Sequence, residues 1–84
     1  MLVGEEKVLA YLLIVAEVGK EYEIIEKIKD IARSVGIEAE PSVVYGEYDI
    51  VVRIISDSLR KIDKAVTMIR SLPGILRTIT LISA

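Results

Sequence analysis

The stretch Val43-Val44-Tyr45-Gly46-Glu47-Tyr48-Asp49-Ile50-Val51-Val52-Arg53-Ile54-Ile55 reads as two strands joined by a tight turn at Gly46, with an acid, Asp49, just past the turn. An amphipathic helix pattern lies on each side of this hairpin, and one more apolar strand lies beyond each helix. The order β-α-β-β-α-β follows, and with it an α+β fold in which a four-stranded antiparallel sheet carries both helices on one face. The other face of such a sheet is left open. What covers that face, and what sits at the hairpin, should decide what the chain does.

The elements can be placed by period. Val8 to Ala16 is apolar at both parities and predicts a strand covered on both faces. From about Lys20 to Val35, residues Ile24, Ile25, Ile28, Ile31, Ala32 and Val35 form one stripe at helical spacing. Glu23 and Lys27 form a favourably oriented pair on that helix, and Gly36 sits where a left-handed stop is wanted. Ile37 to Tyr45 is the second strand; Pro41, with no N–H to give a ladder, suits a sheet edge. Tyr48 to Ile55 is the third. Ser56-Asp57-Ser58 offers several N-caps for a helix whose stripe is Leu59, Ile62, Val66, Ile69 and Leu72, and Pro73-Gly74 ends it. Ile75 to Ile82 is the last strand. Met1 to Lys7 is a polar lead-in expected to fray. The 84 residues make one domain, without linker, repeat or low-complexity tract.

Side chains alternate across a strand, so parity separates the two sheet faces. Tyr48, Ile50, Val52 and Ile54 should pack beneath the helices, leaving Asp49, Val51, Arg53 and Ile55 on the open side. On the first strand Glu17 marks the open side, which assigns Leu9, Tyr11, Leu13 and Val15 to it. On the last strand the mixed set Thr78, Thr80 and Ile82 is expected to join them. This is an apolar patch of a size that monomers rarely expose. Apolar residues make up 52% of a chain that is also 29% charged, more than one small core needs. The simplest cover is a second copy, sheet against sheet, with Leu9, Tyr11, Leu13, Val15, Val51, Arg53, Ile55 and Ile82 in the contact.

Composition narrows the chemistry. There is no Cys, hence no disulfide or thiolate, and no His, which removes the usual zinc, copper and haem ligands. No metal and no cofactor is expected, and nucleophile–base pairs built on Cys or His are excluded. Glu47 and Asp49 could form a carboxylate pair, but a solvated hairpin tip is the plainer account, so no catalytic residue is assigned. No glycine-rich phosphate loop is present. A net charge of −2 offers no electrostatic footprint for nucleic acid, and a sheet with Tyr11 as its aromatic lacks the stacking platform that RNA-binding sheets use. The longest apolar run, Val8 to Ala16, is too short to span a bilayer, and a cytoplasmic protein is the default. The absence of Asn and Gln beside abundant Ile, Val, Glu and Lys resembles thermophile composition.

A small zwitterion suits the hairpin better than a reaction does. Asp49 could take an ammonium by a charge-assisted hydrogen bond. Backbone N–H groups near Gly46 could approach a carboxylate closely, and Tyr45 or Tyr48 could wall a side chain. An equally physical account is that Gly46 supplies a positive φ and Asp49 stabilises the turn.

At this point the residues resemble a known family. Gly46-Glu47-Tyr48-Asp49 followed by an apolar strand, together with Leu72-Pro73-Gly74-Ile75 and then Thr78-Ile79-Thr80, is similar to the effector-binding (RAM) domain of the Lrp/AsnC leucine-responsive and asparagine regulators. The resemblance runs from about Leu9 to Ile82. It implies a ferredoxin-like fold, a sheet-to-sheet homodimer, and rings of dimers with amino-acid effectors held between dimers near the Gly-x-x-Asp hairpin. Carried over, this places Tyr45, Gly46, Glu47, Tyr48 and Asp49 around the ligand, and Thr78 and Thr80 either there or in the sheet contact. Members of the family that bind DNA carry a helix-turn-helix before this domain. Here a short polar lead-in precedes the first strand, so the resemblance is to the stand-alone modules, which implies an indirect action on transcription or amino-acid metabolism and, as a partner to expect, co-assembly with full-length regulators. Three other readings stay open: an assembly module with a vestigial site, an ACT-like regulatory domain, and a small α+β-barrel enzyme, which would need a polar cavity between the sheets.

Overall fold

Residues 7–83 are described by the computed structural model, so most of the polar lead-in expected at Met1 to Lys7 lies outside the described residues. Six elements follow in the order β1 (Val8–Ala16), α1 (Glu21–Val35), β2 (Glu38–Val43), β3 (Ile50–Ser56), α2 (Leu59–Arg70) and β4 (Ile75–Ile82). All strand pairs are antiparallel, in the spatial order β2-β3-β1-β4. The βαββαβ, ferredoxin-like architecture read from the sequence is therefore the observed one.

The helices form because their apolar residues recur on one side and their ends are satisfied. Ile24, Ile25, Ile28, Ile31 and Ala32 of α1, and Ile62, Ala65, Val66 and Ile69 of α2, are buried. The Ser58 side chain caps α2 by accepting from the Lys61 N–H at 3.3 Å, while α1 ends as the Gly36 N–H reaches the Ala32 carbonyl at 2.9 Å. Leu59, expected in the α2 stripe, is half-exposed, because the first helical residue precedes the turn that packs on the sheet. The Glu23–Lys27 pair is present at 3.6 Å.

Between helices and sheet lies one core. Ala10, Leu12 and Ile14 of β1 and Ile50, Val52 and Ile54 of β3 are fully buried in it. Burying each large aliphatic side chain contributes about 1.5–3 kcal/mol. The alternate residues of β1, namely Leu9, Tyr11, Leu13 and Val15, are only half-buried, since no second layer covers them within one chain.

On β4 the register corrects the expected faces. Directly opposed residues of an antiparallel pair share a face. Ile79 lies opposite Leu13 and Leu81 opposite Tyr11, whereas Thr78, Thr80 and Ile82 lie opposite Ile14, Leu12 and Ala10. Thr78, Thr80 and Ile82 therefore belong to the helix side, and Ile82 leaves the expected dimer contact. The helix layer does not fully cover this outermost strand: Thr80 is exposed and Ile82 is 47% exposed on that side. The open face instead gains Ile79 and Leu81, and is more apolar than the sequence reading had it.

The two sheet edges differ. The Val44 N–H donates to the Asp49 carbonyl at 2.9 Å, which fixes the phase of the β2–β3 ladder and turns Pro41 outward. Its missing N–H thus costs no ladder bond and guards the edge against further pairing. At the start of β4, Gly74 adopts φ +93°, and a Cβ there would meet the Lys20 Cβ and Cγ and the Ile24 Cδ1 at 3.4 Å. Gly74→Ala is expected to cost about 1–2 kcal/mol through the backbone conformation, read as a lowered urea midpoint with unchanged m-value.

Candidate functional site

Three connections converge at one end of the sheet, where β1 stops. The Asp49 N–H donates to the Ile14 carbonyl at 2.8 Å, and the Asp49 Oδ2 accepts from the Ala16 N–H at 2.8 Å. On the far side of β1, the Glu17 N–H donates to the Gly74 carbonyl at 2.8 Å. The β2–β3 loop, the turn after β1 and the Pro73-Gly74 turn are thereby tied to one strand end. The local reason is that β1 outruns the ladder of β3, which pairs only as far as Ile14 with Ile50. The next free N–H of β1 is then met by a side chain, the carboxylate of Asp49.

The hairpin is wider than a two-residue turn. Tyr45, Gly46, Glu47 and Tyr48 form the loop inside the Val44–Asp49 hydrogen bond, and Gly46 holds φ +124°, a conformation that disfavours any side chain there. Tyr45, Gly46 and Glu47 are an exposed tip; Tyr48 and Asp49 are its half-buried base. Tyr48 was expected beneath the helices. Its ring instead meets the Arg77 guanidinium, 5.7 Å from the ring centroid, a cation–π geometry. Asp49 follows the open-face parity of β3 but is turned toward the end of β1 by its bond to Ala16.

The expected site residues do not all come together. Tyr45 to Asp49 are one loop. Thr78 pairs with Ile14 on the helix side and Thr80 with Leu12, so β1 stands between both threonines and the hairpin. Of the residues expected in the sheet contact, Leu9, Tyr11, Leu13, Val15, Val51, Arg53 and Ile55 lie on the open face. Arg53 there pairs with Glu40 of β2 at 3.4 Å, giving the face a polar margin beside its apolar centre.

Sequence reasoning missed what surrounds the hairpin. Val18 is 96% exposed and Tyr45 fully exposed, and Tyr22 and Leu76 are exposed as well. All four belong to segments at the same end of the sheet, an apolar fringe on the connecting loops, the first turn of α1 and the start of β4. Leu76 has no partner in the β1–β4 ladder, where Val15 pairs with Arg77 and Ala16 with Ile75. It is the extra residue of a β-bulge, which no pattern in Ile75-Leu76-Arg77-Thr78 announces. Among the described residues no three acidic side chains converge so as to hold a metal ion, and no helix is long and apolar enough to cross a membrane.

No protein-family model matches the chain, and no curated protein matches it. Solved structures do. FFRP-DM1 is 38% identical, with a TM-score of 0.77 over 92% of this chain and 99% of that one. The hypothetical protein PHS023 from Pyrococcus horikoshii is also 38% identical, with a TM-score of 0.77 over 92% of this chain and 89% of that one. E. coli AsnC shares the fold at 20% identity, with a TM-score of 0.70 over 90% of this chain and 50% of its own.

Proposed function

The chain belongs to the Lrp/AsnC family of regulators, as an effector-binding (RAM) domain, and from this premise we propose that it is an amino-acid-binding and oligomerisation module. Two copies apply their open faces to each other in a two-fold dimer. The dimers then meet through the apolar fringe at the hairpin end and close into a ring. An amino acid sits in that seam, its ammonium on Asp49, its carboxylate on backbone N–H groups near Gly46, its side chain against Tyr45 or Tyr48. Binding and assembly are then linked: a ligand that prefers the assembled state shifts the balance toward it. Co-assembly with full-length regulators in the cytoplasm carries the signal to transcription or amino-acid metabolism. The thermophile-like composition accords with the Pyrococcus relative.

One observation supports this reading most. Asp49 Oδ2 is fixed by the Ala16 N–H, while its other oxygen makes no hydrogen bond among the described residues. An oriented carboxylate with a free oxygen, beside an exposed tyrosine, suits an ammonium group. The same bond also favours a second reading, an assembly module without ligand, because holding the end of β1 is itself sufficient reason for an acid at this position.

Calorimetric titration with each amino acid separates the two. Binding is expected at about micromolar to millimolar strength, roughly −8 to −4 kcal/mol. Asp49→Asn keeps an acceptor for the Ala16 N–H but loses the charge, so it should stay folded and bind about 10- to 100-fold more weakly, the worth of a charged hydrogen bond. Absence of heat with every amino acid, at every assembly state, would leave only the second reading.

A further inference from the structure

Resting on the amino-acid reading above, we propose that Arg77 is a further binding residue of the hairpin site. Its guanidinium takes the effector's α-carboxylate while Asp49 takes the ammonium. The site then selects free α-amino acids over amines and amino-acid amides, which keep the ammonium but lack the carboxylate.

The β4 register brings Arg77 to this site. Leu13 pairs with Ile79 on the open face, and Val15, two residues on, pairs with Arg77, so Arg77 is on that face as well. From there its side chain crosses the end of β1. The guanidinium carbon stands over the Tyr48 ring, 5.7 Å from its centroid. Tyr48 is the chain neighbour of Asp49, whose Oδ2 accepts from the Ala16 N–H at 2.8 Å. A cation from β4 and an acid from the β2–β3 loop thus meet beside Val15 and Ala16, where β1 ends.

Each charge is held by something other than its opposite. Among the described residues neither Asp49 nor Arg77 takes part in an ion pair. One is fixed by a backbone N–H and the other engages an aromatic ring. An α-amino acid carries both its charges on one carbon, so it bridges an acid and a cation that stand close without pairing. A guanidinium engaged at a ring keeps N–H groups free for a bidentate grip on the carboxylate. A cation is also required here. Glu17 and Glu47 lie at the same end of the sheet, both exposed, and with Asp49 they repel an incoming carboxylate. Among the described residues no other free cation lies on the open side of this end. Arg60, Lys64 and Arg70 belong to α2, on the opposite side of the sheet, and Lys7 precedes β1 at its far end. Lys20 sits at the N-cap of α1 against Gly74, and Arg53 pairs with Glu40.

The test is calorimetric titration of the full chain with each amino acid beside its own carboxamide (alanine beside alaninamide, and so on). A pH of about 6 keeps every ammonium charged, below the α-amino range of about 7.7–8.0. For an amino acid that binds, the amide should bind about tenfold or more weakly, the worth of a charge-assisted hydrogen bond. Arg77 is exposed, so Arg77→Gln should keep the circular dichroism of the wild type. It should bind the acid about tenfold more weakly and lose most of the preference for acid over amide. Arg77→Lys should restore part of that preference, and Arg70→Gln, on the helix side, should leave it unchanged. A wild-type chain that binds acid and amide equally overturns the role of Arg77, with no variant needed. So does an Arg77→Gln chain that still prefers the acid by the wild-type factor. Both results leave the effector reading standing. Absence of heat with every amino acid removes that reading and this proposal together.

Discussion

Leu13→Glu is expected to convert the protein to monomers in sedimentation velocity, raising the dimer dissociation constant roughly a thousandfold or more. Leu13 is central on the open face, flanked in register by Val51 on β3 and Ile79 on β4. Tyr11 and Val15 lie on either side of it along β1, and Leu81 adds to the same surface. In a sheet-to-sheet dimer this position is sealed from water on all sides, so a carboxylate there is buried without a partner. The cost is about 4 kcal/mol or more, and each 1.4 kcal/mol is a factor of ten. Leu13 is not part of the core under the helices, so the chain should keep its secondary structure. The wild-type melting temperature should rise with protein concentration, as expected when association stabilises the folded state, and that of the variant should not. A wild-type chain that sediments as a well-folded monomer at low micromolar concentration would remove the dimer, and with it the seam in which the effector is proposed to bind.

Leu12→Ala, one residue away, should fail in a different manner. Leu12 is fully buried, in register between Val52 and Thr80, with its side chain under the helices. Removing most of a buried leucine costs about 3–5 kcal/mol, through lost transfer energy and the cavity left behind. A domain of this size holds about 5–15 kcal/mol in total. The expected fall in melting temperature is about 20 °C, since each kcal/mol shifts a domain of this size by about 4–8 °C. Differential scanning calorimetry at fixed concentration measures it. Two adjacent leucines, one lost to the core and one to assembly, would thus establish that the sheet has two apolar faces with separate roles. A loss at position 12 of less than 1 kcal/mol would contradict the core described here.

The elements were legible because their signals are local. The apolar run Val8–Ala16 and the last strand Ile75–Ile82 appear with the bounds expected, as strand length and flanking turns dictate. The α1 stripe of Ile24, Ile25, Ile28, Ile31 and Ala32 is buried as its spacing requires. The hairpin was recognisable as Gly46 followed by Asp49, but not its width. A four-residue loop forms because Asp49 closes a pair with Val44 while its side chain reaches across to Ala16, a partner 33 residues away.

The faces of β4 were read backwards for an instructive reason. Polarity reports which side of a strand is wet, and the expectation equated the wet side with the side away from the helices. On this outermost strand the margin of the helix side is itself exposed, so Thr78 and Thr80 stand there, while Ile79 and Leu81 extend the apolar surface opposite.

Residue order and side-chain period alone thus determined the number, type and order of the elements, the helix stripes, and the division of β1 and β3 into a core face and an open face. These depend on neighbours a few positions apart. Only the tertiary structure decided which way β4 turns its side chains, where Asp49 spends its carboxylate and what Tyr48 packs against. Each of those depends on ladder register and on groups brought together across the sheet, where the energy of a contact is set by geometry that sequence spacing does not encode.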